Sequence, residues 1–237
     1  MKHRPNFAFF VFMVGVLCLT MGFKIYPNRS DADSIARQYV YKLFNEHGSC
    51  TGVQVELNDG KSYVLTAGHC NLLVESGKVH ATSEDGKDFY LEFIAEDSRS
   101  DLMLLKAPTS GGLSIAYTLQ PHQHVHTMTH GKGYPTYRTD GEMLNIAEIE
   151  FVEFKIESIF DLTRCAFIKT EIIKQDDEMF CAVKTFESIT TSRIVPGSSG
   201  GPMLDDNNRL VGIASASGDF ENCFVSLQDI KNFLLLY

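Results

Sequence analysis

Pro196-Gly197-Ser198-Ser199-Gly200-Gly201-Pro202 decides how the rest of the chain reads. A serine stands among glycines, which lack Cβ, so the backbone can turn tightly and a substrate carbonyl can come close. Such a loop can aim two amide N–H groups at one point, as an oxyanion requires when an acyl group is attacked. A serine hydroxyl alone is a weak nucleophile, so this reading needs a base and a group to orient it. Upstream, Leu65-Thr66-Ala67-Gly68-His69-Cys70 supplies a histidine, and Asp101-Leu102-Met103-Leu104-Leu105 supplies an aspartate heading an apolar run. Asp97 is a rival for the aspartate role but lacks an apolar strand directly behind it. Taken singly, Ser199 reads as a glycine-rich turn and His69 as a core histidine; the combination points to acyl-transfer chemistry.

The order His, Asp, Ser is that of the chymotrypsin-type triad, not of subtilisin or the α/β-hydrolases. On these motifs the chain resembles the trypsin-like (chymotrypsin-fold) serine proteases. Ala67-Gly68-His69-Cys70 resembles their histidine motif and Asp101-Leu102-Met103-Leu104-Leu105 their aspartate motif. Gly197-Ser198-Ser199-Gly200-Gly201-Pro202 resembles their serine motif, and Gly212-Ile213-Ala214-Ser215 the strand along which substrate backbone lies. The likeness runs from Cys50 to Leu236.

The resemblance implies an all-β fold of two antiparallel β-barrels of chymotrypsin type, at residues 48–125 and 126–225, with a C-terminal helix. It places His69 and Asp101 on the first barrel, Ser199 on the second, and the active site in the cleft between. Ser199 would be the nucleophile, His69 the general base and then acid, and Asp101 the group that fixes the imidazole tautomer. The amides of Gly197 and Ser199 would form the oxyanion hole. Ser215 would support Asp101, and Arg193, Ser215, Ala216 and Ser217 would line the substrate pocket. A cation at Arg193 would repel Lys or Arg at the cleaved bond and favour acidic side chains. Cys50 and Cys70 match the bridge that family members make beside the catalytic histidine. Neither a cofactor nor a metal is implied.

Ser198 departs from the pattern. Secreted, zymogen-type members carry an aspartate there, which binds a newly cut amino terminus. The chain also has no Ile-Val-Gly-Gly start. The oxyanion hole is therefore expected to form without amino-terminal insertion, as in bacterial HtrA-like proteases.

With 237 residues, the chain suffices for one large domain or two small ones. Hydrophobic residues at 44% and charged residues at 22% suit a globular core rather than disorder. A formal net charge of −9 argues against a general nucleic-acid binder.

At the N-terminus, Lys2, His3 and Arg4 precede an apolar run over residues 7–23. A positive region before a long apolar one reads as an export signal. We expect residues 1–29 to be a signal-anchor and tether, forming a hydrophobic transmembrane helix with the bulk of the chain outside. A cleaved signal peptide is the alternative, which would leave the protein secreted or periplasmic. Residues 30–237 would form the protease domain. Ile35, Tyr39, Val40, Leu43 and Phe44 fall near helical spacing, predicting an amphipathic helix over residues 31–46.

From Cys50 on, the pattern is one of short strands and turns. Val53, Val55 and Leu57 alternate with polar residues, Asn58-Asp59-Gly60 signals a hairpin, and residues 63–67 return. Further strands are expected at residues 89–94, 143–154, 166–173 and 210–214, and a helix over residues 227–236. Cys165 and Cys181 flank an expected hairpin and could pair, with Cys181–Cys223 the competing option. Disulfides imply an oxidising compartment, consistent with export. His122, His124, His126 and His130 form a local cluster. The first three share one face of a strand, but a solvent-facing edge explains them better than a metal site, because Val125 takes the inward position.

Together these readings point to a serine endopeptidase working through a His-Asp-Ser triad and an acyl-enzyme on protein or peptide substrates. The alternative is a catalytically inactive protease-fold peptide-binding or adaptor protein at a membrane.

Overall fold

Alternating apolar and polar residues from Val40 onward become a succession of antiparallel strands. The structure is a computed structural model that describes residues 29–131, 136–155, 171–175, 178–217 and 222–237. For residues 29–32, 148–155, 171–175, 180–186 and 217 it describes the backbone alone. The chain divides into a short unit, Met1–Ser34, and a main unit, Ile35–Tyr237. The expected N-terminal hydrophobic helix, residues 7–23, lies outside the described residues. Among those described, no helix is long and apolar enough to cross a membrane.

The helix expected over residues 31–46 is a correction. Helix α1 (Arg29–Arg37) ends early, and residues 40–45 form strand β1 (Val40–Asn45). The apolar spacing at residues 35, 39 and 43 fits a helix, but Val40, Tyr41, Leu43 and Phe44 are β-branched, aromatic or apolar side chains that also suit a strand. A hairpin decides the matter. β1 pairs with β2 (Gly48–Glu56) in register from Val40↔Val53 to Asn45↔Gly48, and the His47 amide donates to Asn45 Oδ1 at 2.8 Å in the turn. Tertiary pairing thus overrides local spacing.

The first barrel adds β3 (Ser62–Ala67), β4 (Lys78–Thr82), β5 (Asp88–Asp97) and β6 (Leu102–Lys106). Its order, β1-β2-β3-β6-β5-β4, closes through β1–β4 pairing such as Leu43↔Ala81. Asn58-Asp59-Gly60 makes the β2–β3 turn, with Gly60 at φ +80°. Leu43, Val64, Val79, Leu91, Met103 and Leu105 fill the interior.

The second barrel comprises β7 (His124–Thr129), β8 (Tyr137–Lys155), β10 (Glu178–Thr190), β11 (Pro202–Leu204), β12 (Leu210–Ser217) and β13 (Asn222–Val225), with β9 (Glu171–Gln175) beside β10. Pairing of β10 with β13 closes it. Val125, Met143, Met203, Val211 and Phe224 fill its core. A third apolar cluster joins the barrels: Val53, Leu65 and Leu104 of the first meet Ile213 and Val225 of the second. Helix α2 (Leu227–Leu234) seals it with Ile230, Phe233 and Leu234. The Ser226 hydroxyl caps this helix by accepting from the Asp229 amide at 3.1 Å.

Candidate active site

Strand β3 ends at Ala67, and a 3₁₀ helix (Gly68–Leu73) carries His69 away from it. Strand β6 begins beside it, because Ala67 is paired with Leu102. That register brings the turn before β6, and so Asp101, against His69. Asp101 adopts φ +49°, a left-handed conformation uncommon outside glycine but tolerated by aspartate. The His69 amide donates to Asp101 Oδ1 at 2.8 Å, and His69 Nδ1 lies 3.0 Å from both carboxylate oxygens. With its proton on Nδ1, the ring presents Nε2 outward as an acceptor. The hydrogen bond to Asp101 holds the His69 pKa above the ordinary histidine value, against burial, which lowers it; the Asp101 charge acts with the hydrogen bond.

Ser215 reaches Asp101 from the second barrel, its Oγ donating to Oδ2 at 2.8 Å. Its aim comes from a bulge: Ala214 is paired with Phe224 and Ala216 with Cys223, which leaves Ser215 unpaired between them. Bulges re-aim side chains in this way.

The Ser199 loop is docked onto the first barrel. The Thr51 amide donates to the Ser199 carbonyl at 2.7 Å, and the Thr51 hydroxyl to the Gly197 carbonyl at 2.9 Å. The same hydroxyl accepts from the His130 amide at 3.0 Å. The Gly200 amide donates to the Ala214 carbonyl at 2.7 Å. Gly200 has φ +81°, and a Cβ there would lie 2.8 Å from the Ala67 nitrogen, two residues before His69. Among the described residues, neither the Gly197 nor the Ser199 amide donates a hydrogen bond. No hydrogen bond joins Ser199 Oγ to His69 among the described residues; such contacts are often long until substrate arrives.

Ser198 is fully buried. Its Oγ lies 2.9 Å from Thr129 Oγ1 and 3.2 Å from Tyr137 Oη, and it accepts from the Val195 amide at 3.1 Å. The loop is thus tied internally by neutral hydrogen bonds at the position where a zymogen-type aspartate would stand.

Arg193 is exposed, and its carbonyl accepts from Thr139 Oγ1 at 2.8 Å. Ser215 is buried and Ala216 half-buried; of Ser217 the backbone alone is described. Cys50 and Cys70 are joined by a disulfide that staples β2 to the 3₁₀ helix beside His69. Both pairings weighed for Cys181 involve side chains outside those described. Three of these histidines have polar partners: His122 Nδ1 lies 2.6 Å from Glu142, His124 lies between Asp206 (Nδ1, 2.7 Å) and Asp140 (Nε2, 3.3 Å), and His126 Nε2 lies 2.9 Å from Asn208 Oδ1. His126 is buried, contrary to a solvent-facing edge. No group of His, Cys, Asp or Glu suited to a metal occurs among the described residues.

Several residues that hold the loop were not evident from sequence: Thr51, Thr129 and Tyr137. Thr129 and Tyr137 act through a hydroxyl, and Thr51 through its hydroxyl and its backbone amide, all set by long-range packing. Thr51 alone carries a local hint, since it follows Cys50.

The comparisons with known proteins agree with this architecture. The family model of the trypsin-like peptidase domain matches residues 50–213. The chain belongs to the trypsin-like peptidase domain family. Among solved structures, it is similar to the Rv3671c protease of Mycobacterium tuberculosis in its active form, with 16% identity and a TM-score of 0.65. That match covers 86% of this chain and 82% of the other. The inactive form of the Rv3671c protease matches at the same identity and TM-score, covering 86% and 91%. The serine endoprotease of Yersinia pestis matches at 15% identity and a TM-score of 0.59, covering 86% of this chain and 64% of the other. No curated protein sequence matches the chain.

Proposed function

We propose that the protein is a serine endopeptidase. The observation that carries this reading is the chain Ser215–Asp101–His69, hydrogen-bonded at 2.8 and 3.0 Å, with the Ser199 loop docked beside it. Ser199 attacks the scissile carbonyl while His69 Nε2 takes its proton. The amides of Gly197 and Ser199 receive the oxyanion. His69 then passes the proton to the leaving amine, and water hydrolyses the acyl-enzyme by the reverse roles.

The internal ties of Ser198 support a hole that forms without a newly cut amino terminus. If trimming the N-terminal segment raised activity, and the new terminus proved essential, that part of the reading would be wrong. The Cys50–Cys70 bridge favours an oxidising compartment, in line with an exported chain held at or released from a membrane.

Incubating the protein with a peptide library tests the assignment. The wild type should cleave internal peptide bonds, and Ser199→Ala should not. Cleavage that survives Ser199→Ala would remove Ser199 from the reaction. Strong cleavage after Lys or Arg would refute a role for Arg193 in favouring acidic side chains. A folded wild type that binds peptides without cutting them would instead support a non-catalytic binder.

A further inference from the structure

A second carboxyl lies at the junction of the barrels. Glu187, on β10, is fully excluded from solvent, and among the described residues neither of its carboxyl oxygens has a hydrogen-bond partner. Buried acids are normally paired, so an unpartnered one requires a physical reason.

Its register locates it. Glu187 stands opposite Val225 of β13, and Val225 stands opposite Ile213 of β12. Directly opposed residues in antiparallel strands share a face, so these three point the same way. Val225 and Ile213 pack with Leu65, Leu102 and Leu104 of the first barrel. Glu187 therefore lies on the face that meets the first barrel. Two residues beyond Ile213, Ser215 reaches from β12 to Asp101.

Among the described residues, the charged groups acting on Glu187 are acidic: Asp101 from the β5–β6 turn and Asp229 from the first turn of α2. Its partners across the strands, Ala147 of β8 and Val225 of β13, carry no charge. Burial first, then these two carboxylates, push the Glu187 pKa from 4.5 up to about 8.

We propose that Glu187 is a positioning residue for Asp101: it occupies the junction as a neutral acid, leaves Asp101 as the charged group that holds His69, and disturbs that arrangement when it ionises. This rests on the serine-protease reading for its effect on activity, whereas its effect on stability does not.

The direction with pH follows from linkage. An acid with a higher pKa folded than unfolded binds more protons in the folded state. Its contribution to stability is therefore greatest at acid pH, falls as pH rises from the ordinary glutamate value, and levels off above about 8. The native active site, by contrast, changes where Glu187 itself ionises, near about 8.

Two measurements test this. In the first, the reaction rate of a fluorophosphonate probe with Ser199 is followed from neutral to alkaline pH. The wild type should lose about tenfold or more of its rate over the 1.5 pH units above its midpoint, and Glu187→Gln less than about twofold. In the second, melting temperatures of Ser199→Ala and Ser199→Ala/Glu187→Gln are compared at mildly acid and mildly alkaline pH. The parent should lose distinctly more on going to alkaline pH. Should the Gln variant not fold, Glu187→Met, which also removes the charge, replaces it in both arms. An alkaline loss of rate unchanged by removing the carboxyl would overturn the positioning role. Equal melting losses with and without it would overturn the buried neutral acid. No labelling at any pH would count against the protease reading and, with it, the positioning role, while the melting arm still decides the state of Glu187.

Discussion

Gly200 is held where a side chain cannot fit. Its φ of +81° is unfavourable for other residues, and a Cβ would lie 2.2 Å from the Thr51 carbonyl oxygen and 2.8 Å from the Ala67 nitrogen. Both are backbone atoms, so neither yields easily. Gly200→Ala should cost about 3 kcal/mol or more of stability and abolish cleavage, checked by denaturant unfolding and peptide assay. Ser215→Ala should be milder. It removes one hydrogen bond to a charged carboxylate, a contact worth about 1.5–3 kcal/mol, so kcat/KM should fall about tenfold to a hundredfold with KM little changed. On the proposed mechanism, His69 sets the acid limb of the pH profile. The base must be neutral, so activity should fall as pH drops through a His69 pKa held above its ordinary value by Asp101. Asp101→Asn should lose about 10⁴-fold in kcat and move the surviving acid limb downward. A limb that stays in place would detach Asp101 from His69.

At the scale of elements, much of the fold was legible and part was not. The strand around Val53 and Val55, the Asn58-Asp59-Gly60 turn, the return at residues 63–67 and the C-terminal helix all follow from local alternation, turn chemistry and helical spacing. β1 was misread as helix because side chains at residues 35, 39 and 43 satisfy a helical period, whereas the strand is fixed by partners at residues 48–53 and 80–82 that no local window contains. The burial of His126 escaped for a similar reason: its partner, Asn208, comes from the turn after β11. The bulge at Ser215 leaves no mark in the sequence either, since only the β13 register exposes it. The Cys50–Cys70 bridge ties β2 to the histidine-bearing 3₁₀ helix across a separation of 20 residues. Closing a loop of that size contributes about 3 kcal/mol, so Cys50→Ala/Cys70→Ala should lower the melting temperature by several degrees and loosen His69.

At the scale of the whole molecule, the proposed catalysis depends on two barrels staying together. His69 and Asp101 come from the first and Ser199 and Ser215 from the second, and the apolar cluster between them is completed by Ile230 and Phe233 of α2. Phe233 is nearly fully buried there. Phe233→Ala should cost about 3–5 kcal/mol and reduce activity along with stability, although the residue touches no reacting atom. The central claim is that Ser199, activated by His69, is the nucleophile. Tandem mass spectrometry of protein treated with a fluorophosphonate tests it most directly. The account predicts a single adduct on Ser199 in the wild type, strongly reduced in His69→Ala and missing in Ser199→Ala. A folded wild type that carries no adduct, or carries it on another residue, would contradict it.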